Sequence, residues 1–200
     1  MSTSMKHYRF YYTLSRIFIG LFYRLKVTGR ENIPQGACLI CANHSSNIDP
    51  FLVAYAFGIQ HHLHIVAKIQ LFKIPIISSI LKKIGMISVD RDVLDASSVK
   101  STLMYLKNGE KVLIFPEGSR SSRDDASAAK SGAVKLAERA GIPLLPLNIP
   151  RKKPLFSKVP ITIGEPYYID KTEKKRHQDE YIELSRILMG KISQLEFNNQ

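Results

Sequence analysis

Hydrophobic residues beyond position 29 fall into short runs that alternate with amphipathic stretches. Runs of four to six largely apolar residues predict six strands: Ala37–Ala42, Leu63–Ala67, Met86–Val89, Lys111–Phe115, Leu144–Ile149 and Pro160–Ile163. Apolar positions three or four residues apart predict helices: Pro50–Phe57, Ile76–Lys83, Asp95–Lys107, Lys130–Ala140 and Lys174–Phe197. This alternation is typical of an α/β fold, and we expect a single domain with a mixed, largely parallel central sheet flanked by helices.

The first 27 residues form a separate amphipathic segment. On a helical projection, one narrow stripe carries Arg9, Thr13, Arg16, Gly20 and Arg24. The opposite side carries the large apolar side chains: Phe10, Leu14, Ile17, Phe18, Leu21, Phe22 and Leu25. Such a helix is too basic to cross a bilayer and suits the membrane interface, although packing on the core is the alternative. We therefore expect residues 1–27 to dock on a membrane and residues 28–200 to form the domain.

Net charge indicates an anionic partner. The chain carries a formal charge of +12 and is 44% hydrophobic, which excludes a disordered chain and permits a substantial core. Nucleic acid, an acidic protein and a phospholipid surface all fit this charge. Residues 1–30 contain half of the excess and no acidic residue. Because that segment is also apolar, the charge pattern favours an anionic bilayer over nucleic acid.

Two clusters of potential metal ligands are interpreted as structural. Cys38 and Cys41 lie three residues apart in a predicted strand, so their side chains point to opposite faces and share neither a metal nor a disulfide. His61, His62 and His64 begin another strand, where we expect no carboxylate nearby. The sequence therefore predicts no metal site.

A candidate acid–base pair follows the first predicted strand of the domain. His44 and Asp49 are separated by four residues, just before Pro50, which suits the first turn of a helix. Across such a turn the carboxylate can orient the imidazole and stabilise its protonated form, so that the histidine removes a proton from a hydroxyl group. The alternative is a helix N-cap at Asp49 beside a polar loop histidine.

A second polar segment follows the strand Lys111–Phe115. Pro116 and Gly118 end the strand, and Glu117, Ser119 and Arg120 then reach the edge of the sheet. A carboxylate accepts hydrogen bonds from hydroxyl groups, and a guanidinium group binds phosphate in a bidentate manner. A polar turn with no further role is the alternative. No G-x-S-x-G sequence is present, which favours direct attack by a substrate hydroxyl over a serine acyl-enzyme.

Together these segments resemble the glycerolipid acyltransferase family, particularly its bacterial 1-acyl-sn-glycerol-3-phosphate acyltransferase branch. The motifs are Asn43-His44-x-Ser46-x-x-Asp49 and Phe115-Pro116-Glu117-Gly118-Ser119-Arg120-Ser121. Further matches, in the same order as in the family, are Val27–Pro34, Ala67-Lys68, Val89-Asp90-Arg91, Lys130-Ser131-Gly132 and Gly141–Pro146. The resemblance covers residues 27–165.

The resemblance implies an enzyme of phospholipid biosynthesis and a role for each matching residue. His44, oriented by Asp49, would deprotonate the sn-2 hydroxyl of lysophosphatidic acid, which attacks an acyl thioester and gives phosphatidic acid. The implied substrate-binding residues are Lys68, Arg91, Glu117, Gly118, Ser119, Arg120 and Lys130. Gly141, Ile142 and Pro143 would form the oxyanion and acyl-donor region, with a backbone amide near Ile142 as donor because proline has none.

The resemblance also implies partners and a location. Acyl-carrier protein, which is acidic, or coenzyme A supplies the thioester, and no cofactor is needed. The enzyme would be a peripheral, monotopic protein of the cytoplasmic face of the cell membrane. Two alternatives remain: an acyltransferase for glycerol 3-phosphate or another lysolipid, and, more distantly, a basic nucleic-acid-binding α/β domain.

Overall fold

The computed structural model describes residues 3–90, 95–121, 129–170, 172 and 176–197. Within these residues seven strands form one sheet: β1 (Arg24–Thr28), β2 (Cys38–Ala42), β3 (Leu63–Lys68), β4 (Ile87–Val89), β5 (Lys111–Ile114), β6 (Leu144–Asn148) and β7 (Lys158–Ile163). The helices are α1 (Thr3–Gly20), α2 (Asp49–Phe57), α3 (Pro75–Lys83), α4 (Ala96–Lys107), α5 (Gly132–Ala140) and α6 (Gln178–Phe197).

The sheet is mixed and largely parallel, as predicted. Its order is β1-β7-β6-β2-β5-β3-β4. The five strands from β6 to β4 run parallel to one another, whereas β7 pairs antiparallel with β6 and parallel with β1. Because β2 and β5 are adjacent and parallel, the loops that follow them emerge at the same edge of the sheet.

Helices cover both faces of the sheet. Helices α1, α2 and α3 pack on one face, and α4, α5 and α6 pack on the other. Cys38 belongs to the first core and Cys41 to the second, so the two buried thiols lie on opposite faces and are free. Burial raises the pKa of Cys38 to about 12. These cysteines are core residues, as the sequence predicts.

The N-terminal helix is shorter than its apolar pattern predicts. It ends at Gly20, and Arg24 and Leu25 belong to β1, which pairs with β7 at the edge of the sheet. This strand was not predicted, because its alternating residues continue the polar and apolar pattern of the helix. Within the described part of the chain, no helix combines the length and the apolarity that crossing a bilayer requires.

Helix α1 has two different apolar faces. Tyr8, Tyr12 and Ile19 are buried against the domain. The opposite face leaves four large side chains 57–65% exposed: Phe10, Leu14, Ile17 and Phe18. Leu21, directly after the helix, is 68% exposed. One side of the helix therefore packs on the core, and the other side presents an apolar surface. The sequence had offered packing and membrane docking as alternatives.

Candidate active site

The residues that follow β2 and β5 meet at the carboxyl edge of the sheet. Asn43 fixes the loop after β2 to the end of β6: its Nδ2 donates to the Ile149 carbonyl at 2.7 Å, and its Oδ1 accepts from the Ile149 amide at 2.8 Å. The Ser121 amide donates to the His44 carbonyl at 2.9 Å. The Asn43 bonds thus anchor the first motif to the end of β6, and the Ser121 bond joins the two predicted motifs.

His44 and Asp49 form a hydrogen-bonded pair. Nδ1 of His44 lies 2.9 Å from Oδ2 of Asp49, and the imidazole stacks on Phe115 with 4.1 Å between ring centroids. A carboxylate only accepts hydrogen bonds, so Nδ1 carries the proton and the neutral ring has its lone pair on Nε2. This arrangement suits a general base, as the spacing of the two residues predicts.

Asp49 is a fully buried carboxylate with several donors around it. Its Oδ2 also accepts from the amides of Ser45 and Ser46 at 2.7 and 2.8 Å, so Asp49 binds the preceding loop instead of capping α2. Nζ of Lys153 lies 3.0 Å from Oδ1. Burial raises the pKa of Asp49, but the hydrogen bond from His44, the charge of Lys153 and the two amides outweigh it, so that the pKa is lowered. Asp49 is therefore ionised at neutral pH.

Glu117 contacts the His44 backbone and forms a buried ion pair. Its Oε1 accepts from Nη2 of Arg151 at 2.7 Å and from the His44 amide at 3.4 Å. Arg151 also donates through Nη1 to the Ser121 carbonyl at 2.8 Å. Oε2 of Glu117 is buried without a hydrogen-bond partner among the described residues. One oxygen of this carboxylate thus supports the loops, and the other is an unsatisfied acceptor.

The remaining residues of the Glu117 segment lie close to the pair but are more exposed. Nη1 of Arg120 donates to Oδ1 of Asn47 at 3.1 Å, which joins the two motifs on the surface. Gly118 has a positive φ of 70°, and a Cβ there would lie 2.9 Å from Cε of Lys130. The Lys130 side chain therefore crosses directly over the Gly118 backbone. Ser119 is exposed beside them.

Lys68 and Arg91 are the other two predicted substrate-binding residues. Lys68 is the exposed last residue of β3, so it lies at the same edge of the sheet as Glu117, beyond β5. Arg91 lies outside the described residues. Its role in binding substrate stays a prediction.

The predicted oxyanion region is wrong. Gly141, Ile142 and Pro143 immediately precede β6, whose Leu144 pairs with Leu39 near the start of the parallel strand β2. They therefore lie at the amino edge of the sheet, a strand's length from His44. The Ile142 amide donates to the Ala137 carbonyl at 3.2 Å, where it completes the end of α5. This segment ends a helix and does not contribute an amide to the His44 site.

A cavity adjoins the Glu117 segment. It has a volume of about 360 Å³ and lies between the sheet and the helices α4 and α5. Apolar side chains and the Gly118 and Lys130 loop line it: Val66, Val89, Val99, Ile114, Phe115, Pro116, Gly118, Lys130, Ala133 and Leu136 are among them. An apolar chain attached to a polar head group fits such a lining.

Comparison with known proteins decides the family. The family described as Acyltransferase matches residues 24–150. The chain belongs to this acyltransferase family. The match covers both motifs, the sheet from β1 to β6 and the helices between these strands. Membership of an enzyme family favours an enzyme over the nucleic-acid-binding alternative.

Two curated proteins and one solved structure illustrate what this acyltransferase is similar to. The 1-acyl-sn-glycerol-3-phosphate acyltransferase of Bacillus subtilis is 35% identical over 168 residues, 80% of this chain and 82% of that protein. The protein of the same name from Borreliella burgdorferi is 32% identical over 68% of this chain and 54% of its own length. The crystal structure of the 1-acyl-sn-glycerophosphate (LPA) acyltransferase PlsC of Thermotoga maritima matches with a TM-score of 0.69 and 26% identity, over 96% of this chain and 79% of that one.

Two further residues of the candidate site, Arg151 and Lys153, were not predicted from the sequence. Both follow β6, and both are buried against the carboxylates of the two motifs. The available signal was the basic run Arg151-Lys152-Lys153 directly after a predicted strand. Its meaning depends on the position of β6 beside β2, which the order of strands along the chain does not reveal.

The expectation that no carboxylate lies near the histidine cluster is also wrong. Glu110, the residue before β5, pairs through Oε2 with Nε2 of His64. The rings of His62 and His64 are in contact, tilted, with 4.3 Å between centroids, so they share a face as predicted. Burial lowers the pKa of His62. This cluster lies at the amino ends of β3 and β5, whereas His44 lies at the carboxyl edge of the sheet.

Proposed function

We propose that this acyltransferase moves an acyl chain from an acyl thioester to the sn-2 hydroxyl of lysophosphatidic acid and produces phosphatidic acid. The observation that carries the proposal is the bond between Nδ1 of His44 and Oδ2 of Asp49, which leaves Nε2 as a proton acceptor. The relatives from Bacillus subtilis and Borreliella burgdorferi, both named for this reaction, support the choice of acceptor.

The reaction needs one proton shuttle and no covalent intermediate. Nε2 of His44 takes the hydroxyl proton while the oxygen attacks the thioester carbonyl carbon. The tetrahedral intermediate then loses the thiolate, which recovers the proton from the imidazolium. Asp49 stays ionised and stabilises the imidazolium in between. The hydroxyl of Ser45, in the loop between the two residues, donates to the Arg151 carbonyl at 3.1 Å and accepts from Lys153 at 2.7 Å, which supports a mechanism without a serine nucleophile.

Exposed cations near the pair fit the phosphate of the acceptor. Arg120 and Lys130 flank Gly118, and Lys68 lies at the same edge of the sheet. We also propose Arg91 as a phosphate ligand, solely because it matches a motif of the acyltransferase family. The unsatisfied Oε2 of Glu117 is suited to accept a hydrogen bond from a glycerol hydroxyl. The cavity of about 360 Å³ would then receive an acyl chain.

The acyl donor is expected to be anionic. A groove of about 890 Å³ between α4 and α5 has an apolar floor and a basic rim of Lys100, Lys107, Lys135 and Arg139. It shares Val99, Gly132, Lys135 and Leu136 with the lining of the smaller cavity. An acidic carrier protein or the phosphates of coenzyme A would be attracted to this rim. We propose that acyl transfer itself needs no cofactor, because positioning and proton transfer are sufficient for a thioester.

Helix α1 is the proposed membrane contact. Its exposed face combines Phe10, Leu14, Ile17 and Phe18, Leu21 follows the helix directly, and residues 1–27 contain no acidic residue. Side chains of this kind enter the boundary between head groups and acyl chains, and arginines bind anionic lipid. The substrate and the product are lipids, so we place the enzyme as a peripheral protein on the cytoplasmic face of the cell membrane.

An acceptor panel tests the proposal. The purified chain in mixed micelles is given one acyl thioester and, separately, lysophosphatidic acid, glycerol 3-phosphate, lysophosphatidylcholine or monoacylglycerol. We expect phosphatidic acid as the main product, and an Arg120→Ala variant should raise the KM for lysophosphatidic acid by roughly 10- to 100-fold, the effect of losing one charged hydrogen bond. Lys82→Ala, an exposed lysine of α3, is the matched control. Faster acylation of glycerol 3-phosphate or another lysolipid would contradict the proposed acceptor.

A further inference from the structure

A group of three potential metal ligands lies far from the acyl-transfer site. His62, His64 and Glu110 each offer one ligand atom, and these atoms lie within 4.8 Å of one another. They come from the amino ends of the adjacent parallel strands β3 and β5, whereas His44 follows the carboxyl end of β2. The acyl-transfer mechanism uses none of them.

Backbone carbonyls determine which nitrogen of each ring carries the proton in the neutral form. Nδ1 of His64 lies 2.7 Å from the Gly85 carbonyl, and Nε2 of His62 lies 2.8 Å from the Ile84 carbonyl. A carbonyl only accepts, so these nitrogens carry the protons and, in the neutral rings, the lone pairs are on Nε2 of His64 and Nδ1 of His62. Hydrogen bonds of this kind orient the histidine ligands of metal sites.

The contact between His64 and Glu110 needs a positive charge. Nε2 of His64, whose lone pair is free in the neutral ring, faces Oε2 of Glu110, which is also an acceptor. Two lone pairs repel unless a cation, either a proton or a metal ion, lies between them. His64 is 1% exposed, and its ring stacks on Tyr105 with 3.6 Å between centroids. Its position is therefore fixed by packing before any ion binds.

We propose that Nδ1 of His62, Nε2 of His64 and the carboxylate of Glu110 bind a divalent transition-metal ion of the zinc class. Two imidazoles and one carboxylate are ligands typical of Zn²⁺, with a water molecule in the fourth position. Hard ions such as Mg²⁺ prefer a set of oxygen ligands and fit this group poorly.

The proposed ion has a structural role, because it would join parts of the fold that are distant in sequence. His64 belongs to β3, His62 directly precedes it and Glu110 directly precedes β5. The second ring nitrogens of the two histidines bind the Ile84 and Gly85 carbonyls, which follow α3. The ring of Tyr8 from α1 packs on His62 with 4.5 Å between centroids. Binding of a metal would therefore stabilise the contact between α1 and the sheet.

Metal titration of the full chain, purified without a histidine tag and stripped with a chelator, tests the proposal. We expect one Zn²⁺ per chain, a higher thermal-unfolding midpoint with Zn²⁺, and visible absorption bands of low-symmetry Co²⁺ on substitution. Glu110→Gln and His62→Gln should each weaken Zn²⁺ binding by roughly tenfold or more. His61→Gln is the control: it is a neighbouring histidine outside the three-ligand group, with its ring against Phe57.

Glu110→Gln keeps the assay interpretable if His62→Gln folds poorly, since Glu110 is partly exposed and glutamine has nearly the same shape. Its unfolding by urea without metal checks that it is folded. Failure of the wild-type chain to take up Zn²⁺ or Co²⁺ would overturn the proposal and identify His64 and Glu110 as a simple ion pair. Equal uptake by wild type and Glu110→Gln would also overturn it, because the ion would then bind elsewhere.

Discussion

Nζ of Lys153 lies 3.0 Å from Oδ1 of Asp49, whereas the other oxygen of the same carboxylate binds Nδ1 of His44 at 2.9 Å. The two side chains of this ion pair are almost completely buried, with 3% and 0% exposed. Lys153 also donates to Ser45 Oγ and to the Pro150 carbonyl, each at 2.7 Å. We therefore propose that Lys153 is a positioning residue that, together with the hydrogen bond from His44, keeps Asp49 ionised and oriented towards the imidazole.

Replacement of Lys153 tests this role. Lys153→Met should lower kcat by roughly 10- to 100-fold, the effect of losing a charged hydrogen bond worth about 1.5–3 kcal/mol. The charge of Lys153 lowers the pKa of Asp49, so its loss should also move the acid limb of the pH–rate profile to higher pH. Lys152→Met, at the exposed neighbouring lysine, is the control. A reduced rate with an unchanged pH profile would indicate only a structural role.

The lowered pKa of Asp49 makes its stabilising effect dependent on pH. Although burial opposes ionisation, the hydrogen bond from His44 and the charge of Lys153 lower the folded-state pKa below the unfolded value of about 3.9. The stabilisation is complete above the unfolded pKa and disappears as the pH falls through the folded one. Urea unfolding of wild type and Asp49→Asn should therefore give a difference in free energy that is largest near neutrality and decreases in acid. Parallel stability curves would contradict this assignment.

The buried pair of Arg151 and Glu117 should show strong energetic coupling. Arg151→Gln leaves a buried carboxylate without its cation and should cost about 3–5 kcal/mol of unfolding free energy. Adding Glu117→Gln removes that charge, so the double variant should be less destabilised than the sum of the single changes. The measurement is a double-mutant cycle by urea denaturation. Additive effects would show that the two side chains act independently.

The exposed face of α1 should determine membrane affinity. Phe18→Asp should weaken sedimentation with anionic vesicles by roughly 10- to 100-fold, because burial of a large apolar side chain contributes about 1.5–3 kcal/mol. Its thermal midpoint should not change, since Phe18 is 65% exposed. Ile187→Asp, at an exposed apolar position on α6, is the matched control. Equal losses in both variants would place the membrane contact elsewhere.

Local patterns were sufficient to predict most of the fold. The strands from β2 to β7 each show an apolar run that burial requires, and their observed ends differ from the predicted ones by no more than two residues. Strand β1 was missed because an edge strand such as Arg24–Thr28 buries only part of one side and has a weak pattern. The pair of His44 and Asp49 was predictable because both residues belong to one turn.

The order of the strands was not predictable, and the errors follow from it. Gly141–Pro143 were assigned to the site because of a resemblance, but β6 lies parallel to β2, so the residues that precede it lie at the other edge. The same adjacency brings Arg151 and Lys153, which follow β6, to Glu117 and Asp49. Glu110 approaches His64 because β3 pairs with β5. Contacts between distant strands depend on pairing, which single-sequence periodicity does not encode.

The role of His44 as the base is the central claim, and kcat of a His44→Gln variant with lysophosphatidic acid and an acyl thioester tests it most directly. Loss of a general base should lower kcat by about 10²- to 10⁴-fold, with little change in KM or in the thermal midpoint. His177→Gln, at an exposed histidine before α6, should keep the wild-type rate. A His44→Gln enzyme that stays folded and retains kcat within about threefold of wild type would contradict the mechanism.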